Sequence, residues 1–225
     1  MIQPNRKFYK KYLDTLEKKF DGELEAAERV FATVNRILIY FGYLKITKKM
    51  KVLDIGSGDG KFAEVCKSKN LETYGVDGSQ GIDLEKNKIN FDDNAFDLII
   101  SNAVIEHLNS PTNMLNESRR LLKPTGVLIV ITPNFQYAFK NFYDDPTHVR
   151  PYTSTSLSKI LKINNFKEIK VFPYLINKPS FMWAMPFNFL IASLLPFKNH
   201  TFKRYPIPNF LRGNSTAMIS ICKIN

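Results

Sequence analysis

The apolar positions of the chain change period once. From Phe8 to Tyr43 they recur at helical spacing: Tyr12, Leu13 and Leu16, then Val30, Val34, Ile37, Leu38 and Phe41. Gly22 separates two predicted helices in this stretch, and Gly42 ends the second. Beyond it the runs shorten. KVLDI, ETYGV, FDLIIS and GVLIVIT are β-type segments apolar on both faces, as in a sheet covered by helices on each side. FKEIKVFPY and AMISICKI read as two further strands. Helices are predicted between them. Lys61 to Ser68 follows a glycine cluster, Pro111 to Leu122 has Ser110 as N-cap and Pro111 at its first position, and Ser154 to Asn164 is a third. Alternating units of this kind predict an α/β fold with a doubly wound, mostly parallel sheet. The chain divides into an N-terminal helical cap (1–50), a core (51–172), an insertion (173–215) and a last strand (216–225) of one domain.

Composition adds bounds. The 225 residues suffice for one domain with a sizeable core. Cys66 and Cys222 stand far apart without metal spacing, so a reducing cytoplasm is expected. The first twenty residues lack the apolar core of a signal peptide, and no apolar run reaches membrane-spanning length. The net charge of +11 fits either a solvated basic surface or an anionic partner. It is uneven: Glu168 is the last acid, and Lys170, Lys178, Lys198, Lys203, Arg204, Arg212 and Lys223 follow it.

VLDIGSGDGKF carries the first candidate chemistry. Gly56, Gly58 and Gly60 follow the first strand, at the carboxyl edge where such sheets bind ligands. Glycine there permits a tight turn and close approach of a ligand to the backbone, and the next helix offers its first amides. A dinucleotide fingerprint needs a third glycine where Lys61 stands, which weighs against NAD or FAD. Asp77 ends the second strand, where an acid can accept both hydroxyls of a ribose.

From Lys51 to Val171 the chain resembles the class I S-adenosylmethionine-dependent methyltransferases. VLDIGSGDG resembles their cofactor loop, GVDGS the ribose-binding strand end, FDDNAFDLIISNAVIEHL the fourth strand and its substrate-facing turn, and LLKPTGVLIVITPN the fifth. DPTHVRPYTSTSLSKILKINNF resembles the next segment, in which a His precedes a helix. Within the family the chain looks most like members that methylate quinone precursors, sugars and other small metabolites. The resemblance implies S-adenosyl-L-methionine as cofactor and a sheet of the seven-strand type. It assigns Asp54 to the cofactor's amino group, Gly56, Ser57 and Gly58 to its methionine part, and Asp77 to its ribose. Asn102 joins this cofactor set, and Asp83 with Leu84 resembles the pair at the adenine. Members of the family carry a helix and a third strand before that pair. Only Gly78 to Ile82 intervene here, so either that strand is lost or Asp83 is a loop acid.

Methyl transfer to a hydroxyl is an in-line displacement that gains from a general base. His148 and His107 both follow strands at the carboxyl edge and are the candidates, while His200 reads as surface. Metal-dependent quinone-precursor methyltransferases carry another acid where Asn102 stands, so Glu106 and His107 are expected to hold no metal. SNAV is not the N/D-P-P-Y turn of enzymes that methylate base amines, and no Cys lies where cytosine methylases carry one. No basic stripe with stacking aromatics is present, so nucleic acid is not expected as a partner.

The expected acceptor is a hydroxyl of a small molecule or carbohydrate, with a sugar or lipid-linked sugar of surface glycan assembly the first choice. The alternatives are a module that keeps the fold without transfer and binds nucleic acid or protein, and an NAD-dependent oxidoreductase. The segment Pro179 to Phe210 is rich in aromatics, and Pro186 and Pro196 keep any helix between them short. It reads either as a cap on the core or as a contact with an anionic membrane, rimmed by Lys178, Lys198, Lys203 and Arg204.

Overall fold

The computed structural model describes residues 23–175, 178–195, 197–198, 212–214 and 216–224. The first predicted helix, the Gly22 break, His200, Lys203 and Arg204 lie outside them. The second predicted helix is α1, Glu23–Tyr40. Its stripe of Ala27, Phe31, Val34, Ile37 and Leu38 is buried against one face of the sheet. Truncating a side chain as enclosed as Ile37 to alanine costs about 2–5 kcal/mol. Gly42 ends the helix at φ +67°, with Tyr43 N–H on Leu38 C=O and Gly42 N–H on Ile39 C=O. Those two bonds satisfy carbonyls that the last turn would otherwise leave open.

Then follow β1 (Lys51–Ile55), α2 (Lys61–Ser68), β2 (Glu72–Val76), β3 (Phe96–Asn102), α3 (Thr112–Leu121) and β4 (Leu122–Pro133). The remaining main elements are α4 (Phe135–Ala138), α5 (Ser154–Ile163), β5 (Lys167–Pro173), α6 (Asn188–Leu194), β6 (Phe197–Lys198), β7 (Arg212–Asn214) and β8 (Ala217–Lys223). Six strands form the main sheet in the order β2-β1-β3-β4-β8-β5, and β6 pairs with β7 alone. Strand β8 is antiparallel to both its neighbours; the other pairs are parallel. All six predicted strands are found. The sheet is thus of mixed type, with β2 and β5 as its edges. Between β2 and β3 the chain makes a 3₁₀ turn (Gly78–Gln80) and loop, with no strand.

Two local expectations are corrected. Pro111 is the N-cap of α3 instead of its first residue, although its dihedrals are already helical and its carbonyl accepts Leu115 N–H. Ser110 does not cap the helix: its hydroxyl faces Thr112 Oγ1. By contrast, α5 opens with a reciprocal box in which Thr153 Oγ1 accepts Ser156 N–H and Ser156 Oγ accepts Thr153 N–H. Lys178 is also not the rim cation expected. It is only 6% exposed, and its carbonyl accepts a hydrogen bond from Arg36.

Candidate active site

The carboxyl ends of β1, β3 and β4 carry the site in two halves. In the first, Gly56 N–H and Ser57 N–H both bond Val76 C=O, which ties the glycine loop to the end of β2. Gly56 sits at φ +78°, and a Cβ there would meet Val104 Cγ2 at 2.1 Å, so only glycine fits. Gly58, at φ +49°, has nothing within 4 Å of where a Cβ would stand, which leaves its backbone open to a ligand. Its N–H donates to Asp77 Oδ2 at 3.3 Å, while Asp77 Oδ1 accepts Ser79 N–H at 2.8 Å.

A cavity of about 300 Å³ opens beside this loop. Asp54, Gly56, Ser57, Gly58 and Asn102 line it, with Ala26, Ala27 and Val30 of α1 closing one side. Asp54 is 4% exposed, and no hydrogen bond to its carboxyl group is found among the described residues. Burial, then the nearby charges of Asp77 and Asp59, push it up to about 7. A buried acid beside two others and facing a cavity favours a cation. The amino group and sulfonium of S-adenosyl-L-methionine supply positive charge, and the bare loop accepts its main chain, so the residues present fit that cofactor. Asp83 and Leu84 are not among the cavity's lining. Asp83 Oδ1 accepts Glu85 N–H and its carbonyl accepts Asn87 N–H, which makes it the organiser of a turn; Leu84 is buried in the core.

The second half gathers Glu106, His107 and His148, with one donor atom of each within 4.8 Å of the others. His107 Nδ1 lies 3.2 Å from Thr147 C=O and 2.9 Å from Thr147 Oγ1. A carbonyl only accepts, so Nδ1 carries the proton and the neutral ring has its lone pair on Nε2. Thr147 Oγ1 donates in turn to Asp145 Oδ1 at 2.5 Å. His148 is held in the same tautomer by Nδ1–H on Phe142 C=O at 2.6 Å. The two imidazole rings are 4.8 Å apart. Burial, then His148, hold His107 below its ordinary value, which keeps it neutral at pH 7.

Glu106 is wholly buried. Oε2 accepts Thr132 Oγ1–H at 2.9 Å, and Oε1 has no partner. Burial pushes it up to about 7, against the pull of its hydrogen bonds. Two imidazoles and a carboxyl group at this spacing are also donors that a divalent cation could take. Ala103, directly after Asn102, sits at φ +55°, where a non-glycine residue is strained.

The sequence therefore located both histidines and the glycine loop. It missed Thr147, Asp145 and Thr132. The pattern Asp145-Pro-Thr147 was the available signal, because an Asp two residues before a Thr builds the turn in which Asp145 Oδ1 accepts Thr147 N–H. The α1 residues of the cavity wall carried no signal beyond a pair of adjacent alanines.

A doubly wound sheet with a glycine loop after β1, an acid at the end of β2 and a polar cluster after β3 defines the methyltransferase class of α/β folds. The sequence profile of the family described as "Methyltransferase domain" matches residues 23–171. The chain belongs to that family, and its cofactor is S-adenosyl-L-methionine. A ubiquinone biosynthesis O-methyltransferase of Pelagibacter ubique is 30% identical over 107 residues, covering 40% of this chain and 45% of that protein. One from Coxiella burnetii is 31% identical over 120 residues, covering 45% and 51%. The matches thus span about half the length of these relatives. Among solved structures, a SAM-dependent methyltransferase from Archaeoglobus fulgidus superposes with a TM-score of 0.57 at 21% identity, covering 87% of this chain and 94% of that one. A phosphoethanolamine N-methyltransferase of Haemonchus contortus in complex with S-adenosyl-L-methionine gives 0.51 at 17% identity, covering 84% and 51%.

Proposed function

We propose that the protein transfers a methyl group from S-adenosyl-L-methionine to a hydroxyl of a small molecule or carbohydrate, with a lipid-linked sugar of surface glycan assembly as the acceptor of choice. The observation that carries this reading is the pair of imidazoles held in one tautomer beside the cofactor cavity's strand ends. Bound there, the cofactor supplies an electrophilic methyl on sulfur. Asp54 and the loop amides hold it, and Asp77 takes its ribose. A hydroxyl acceptor loses its proton to an Nε2, for which His148 is the first candidate and His107 the second. Asp145 and Thr147 position His107 by fixing its proton on Nδ1. The names of the ubiquinone O-methyltransferases, which act on oxygen, support a hydroxyl over an amine.

The test is formation of S-adenosylhomocysteine from S-adenosyl-L-methionine with a panel of free and lipid-linked sugars and phenols. His148→Ala should lower turnover by roughly 100-fold while cofactor affinity holds. A larger loss for His107→Ala would exchange the two roles. Equal loss of cofactor binding in both variants would make them structural. Turnover that survives a chelator supports the metal-free reading, and turnover that collapses would make Glu106, His107 and His148 a cation site instead.

A further inference from the structure

We infer that Asp145 is a positioning residue that divides the work between the two histidines: it readies His148 to take the acceptor's proton and keeps His107 out of that step. The inference rests on the hydroxyl methylation proposed above.

His148 is held by three contacts. Its Nδ1–H donates to Phe142 C=O at 2.6 Å. Its ring packs against Phe142 at 4.5 Å and His107 at 4.8 Å, centroid to centroid. A ring tied at Nδ1 offers Nε2 to an acceptor. Asp145 Oδ2 stands 3.9 Å from that Nε2. The gap is too long for a hydrogen bond, so the neutral ring keeps its Nε2 lone pair for a hydroxyl. It is short for a charge pair, and an opposite charge at this separation favours the protonated ring. The side chain of His148 is 13% exposed and that of Asp145 25%, so the pair is open to an acceptor.

The carboxylate is aimed. Its Oδ1 accepts Thr147 N–H at 2.9 Å and Thr147 Oγ1–H at 2.5 Å, which turns Oδ2 towards His148. The same threonine hydroxyl accepts His107 Nδ1–H at 2.9 Å. Asp145 thus meets His148 directly, at the nitrogen that takes a proton. It meets His107 only through a hydroxyl, at the nitrogen that already carries one. Two imidazolium rings 4.8 Å apart repel, so only one of them takes the proton. The neighbouring acids do not make that choice. Asp144 Oδ2 accepts Asn141 Nδ2–H at 2.7 Å. Glu106 is wholly buried, and it lies within 4.8 Å of both histidines, so it singles out neither.

In the step itself, the acceptor's O–H proton passes to His148 Nε2. Its oxygen forms the new bond to the methyl carbon, and the electron pair of the broken C–S bond stays on sulfur. Asp145 Oδ2 answers the imidazolium charge until the proton leaves to water.

The test needs a change of charge without loss of the turn. In Asp145→Asn, Oδ1 still accepts both Thr147 bonds, and an amide nitrogen faces His148 in place of Oδ2. With an acceptor from the panel above, this variant should lower kcat roughly 10- to 100-fold at little-changed KM. In a His148→Ala background the same substitution should cost less than about threefold, and in a His107→Ala background it should keep its full cost. A residue that merely held the turn would cost alike in both. A second arm needs no acceptor: NMR of chelator-treated protein with isotope-labelled histidine. In acid, the unsubstituted protein should show a slowly exchanging Nε2–H proton on His148, and Asp145→Asn should lose it to exchange with water. The Nδ1–H of His107 should persist in both, which reports an intact turn. The inference is overturned by an unchanged kcat, by a full cost that survives in His148→Ala, by a cost that vanishes in His107→Ala, or by a His148 Nε2–H signal that persists in Asp145→Asn. If no acceptor is methylated, the hydroxyl reading falls, and the NMR arm still decides whether Asp145 serves His148.

Discussion

Asp54 and Glu106 are two buried carboxyl groups on the two halves of one site, and both are pushed up to about 7. Their surroundings are opposite. Around Asp54, burial is reinforced by Asp77 and Asp59, and Lys61 on the same cavity wall is paired with Glu64 instead. Around Glu106, burial is opposed by hydrogen bonds from the backbone and Thr132, with Asp145 adding only a small like-charge contribution. The first half is a cluster of acids facing a cavity, the arrangement on which the proposed binding of a positively charged cofactor rests. The second is a polar network that the protein nearly completes for itself. Equal acidity thus arises from two opposite surroundings, and the proposed tasks, cofactor binding on one side and proton handling on the other, rest on that difference.

The sharpest way to break that contrast is at Asp77. Asp77→Ala should weaken S-adenosylhomocysteine binding by roughly 100-fold in calorimetry, because in the proposed binding mode it removes two charge-assisted hydrogen bonds to the ribose. His148→Ala should leave that affinity unchanged. If both variants bind alike, the two halves are not separate.

The pH dependence of stability comes next. Both carboxyls have folded values above their unfolded ones, so the native state holds protons that the unfolded state has released. Stability should fall as pH rises from about 4 through 7 and level off above, by on the order of 3–4 kcal/mol per group. Asp54→Asn and Glu106→Gln should each flatten part of that slope in urea titrations. The cofactor product then separates them. Its affinity should rise through pH 7 as Asp54 ionises, Asp54→Asn should abolish the rise, and Glu106→Gln should keep it. The same loss in both variants would mean one shared titration.

The smallest effect belongs to Ala103. Relieving its left-handed backbone by Ala103→Gly should change stability by less than about 1 kcal/mol, since glycine also loosens the unfolded chain. A lowered turnover at unchanged melting temperature would show that the strain holds Asn102 and the turn to Glu106 in place. No change in either would reduce Ala103 to a local irregularity.

These contrasts also separate what the sequence could say from what it could not. The cofactor half was legible because it is local: Gly56, Gly58 and Asp54 lie within a single strand and turn, and each conformational demand selects its own residue type. The six strands themselves were legible for the same reason, through short apolar runs, whereas their order in the sheet, with β8 antiparallel between β4 and β5, was not. The other half is made of long-range contacts. Thr147 reaches His107 across forty positions, and Thr132 reaches Glu106 across twenty-six. Neither threonine differs from any other in sequence. Lys178 shows the converse failure, since a lysine in a basic stretch reads as surface until α1 and its Arg36 are seen to cover it. The caps divided similarly: Thr153 and Ser156 act locally, whereas Ser110 lost its expected role to the turn before α3.

Strand β8 has a consequence for how the chain is made. It lies between β4 and β5, is buried along its middle, and is the only partner of β5 in the sheet. Ser220 bonds Val130 across ninety positions. On a ribosome, β5 therefore emerges with nothing to pair with until residue 217 and beyond have followed. At about 5–20 residues per second that interval lasts roughly 3–10 s. Throughout it, the edge of β4 and both edges of β5 stand open with their apolar faces. A nascent chain arrested between residues 173 and 217 should be protease-sensitive and held by chaperones, and release past 223 should close the sheet in a single late step.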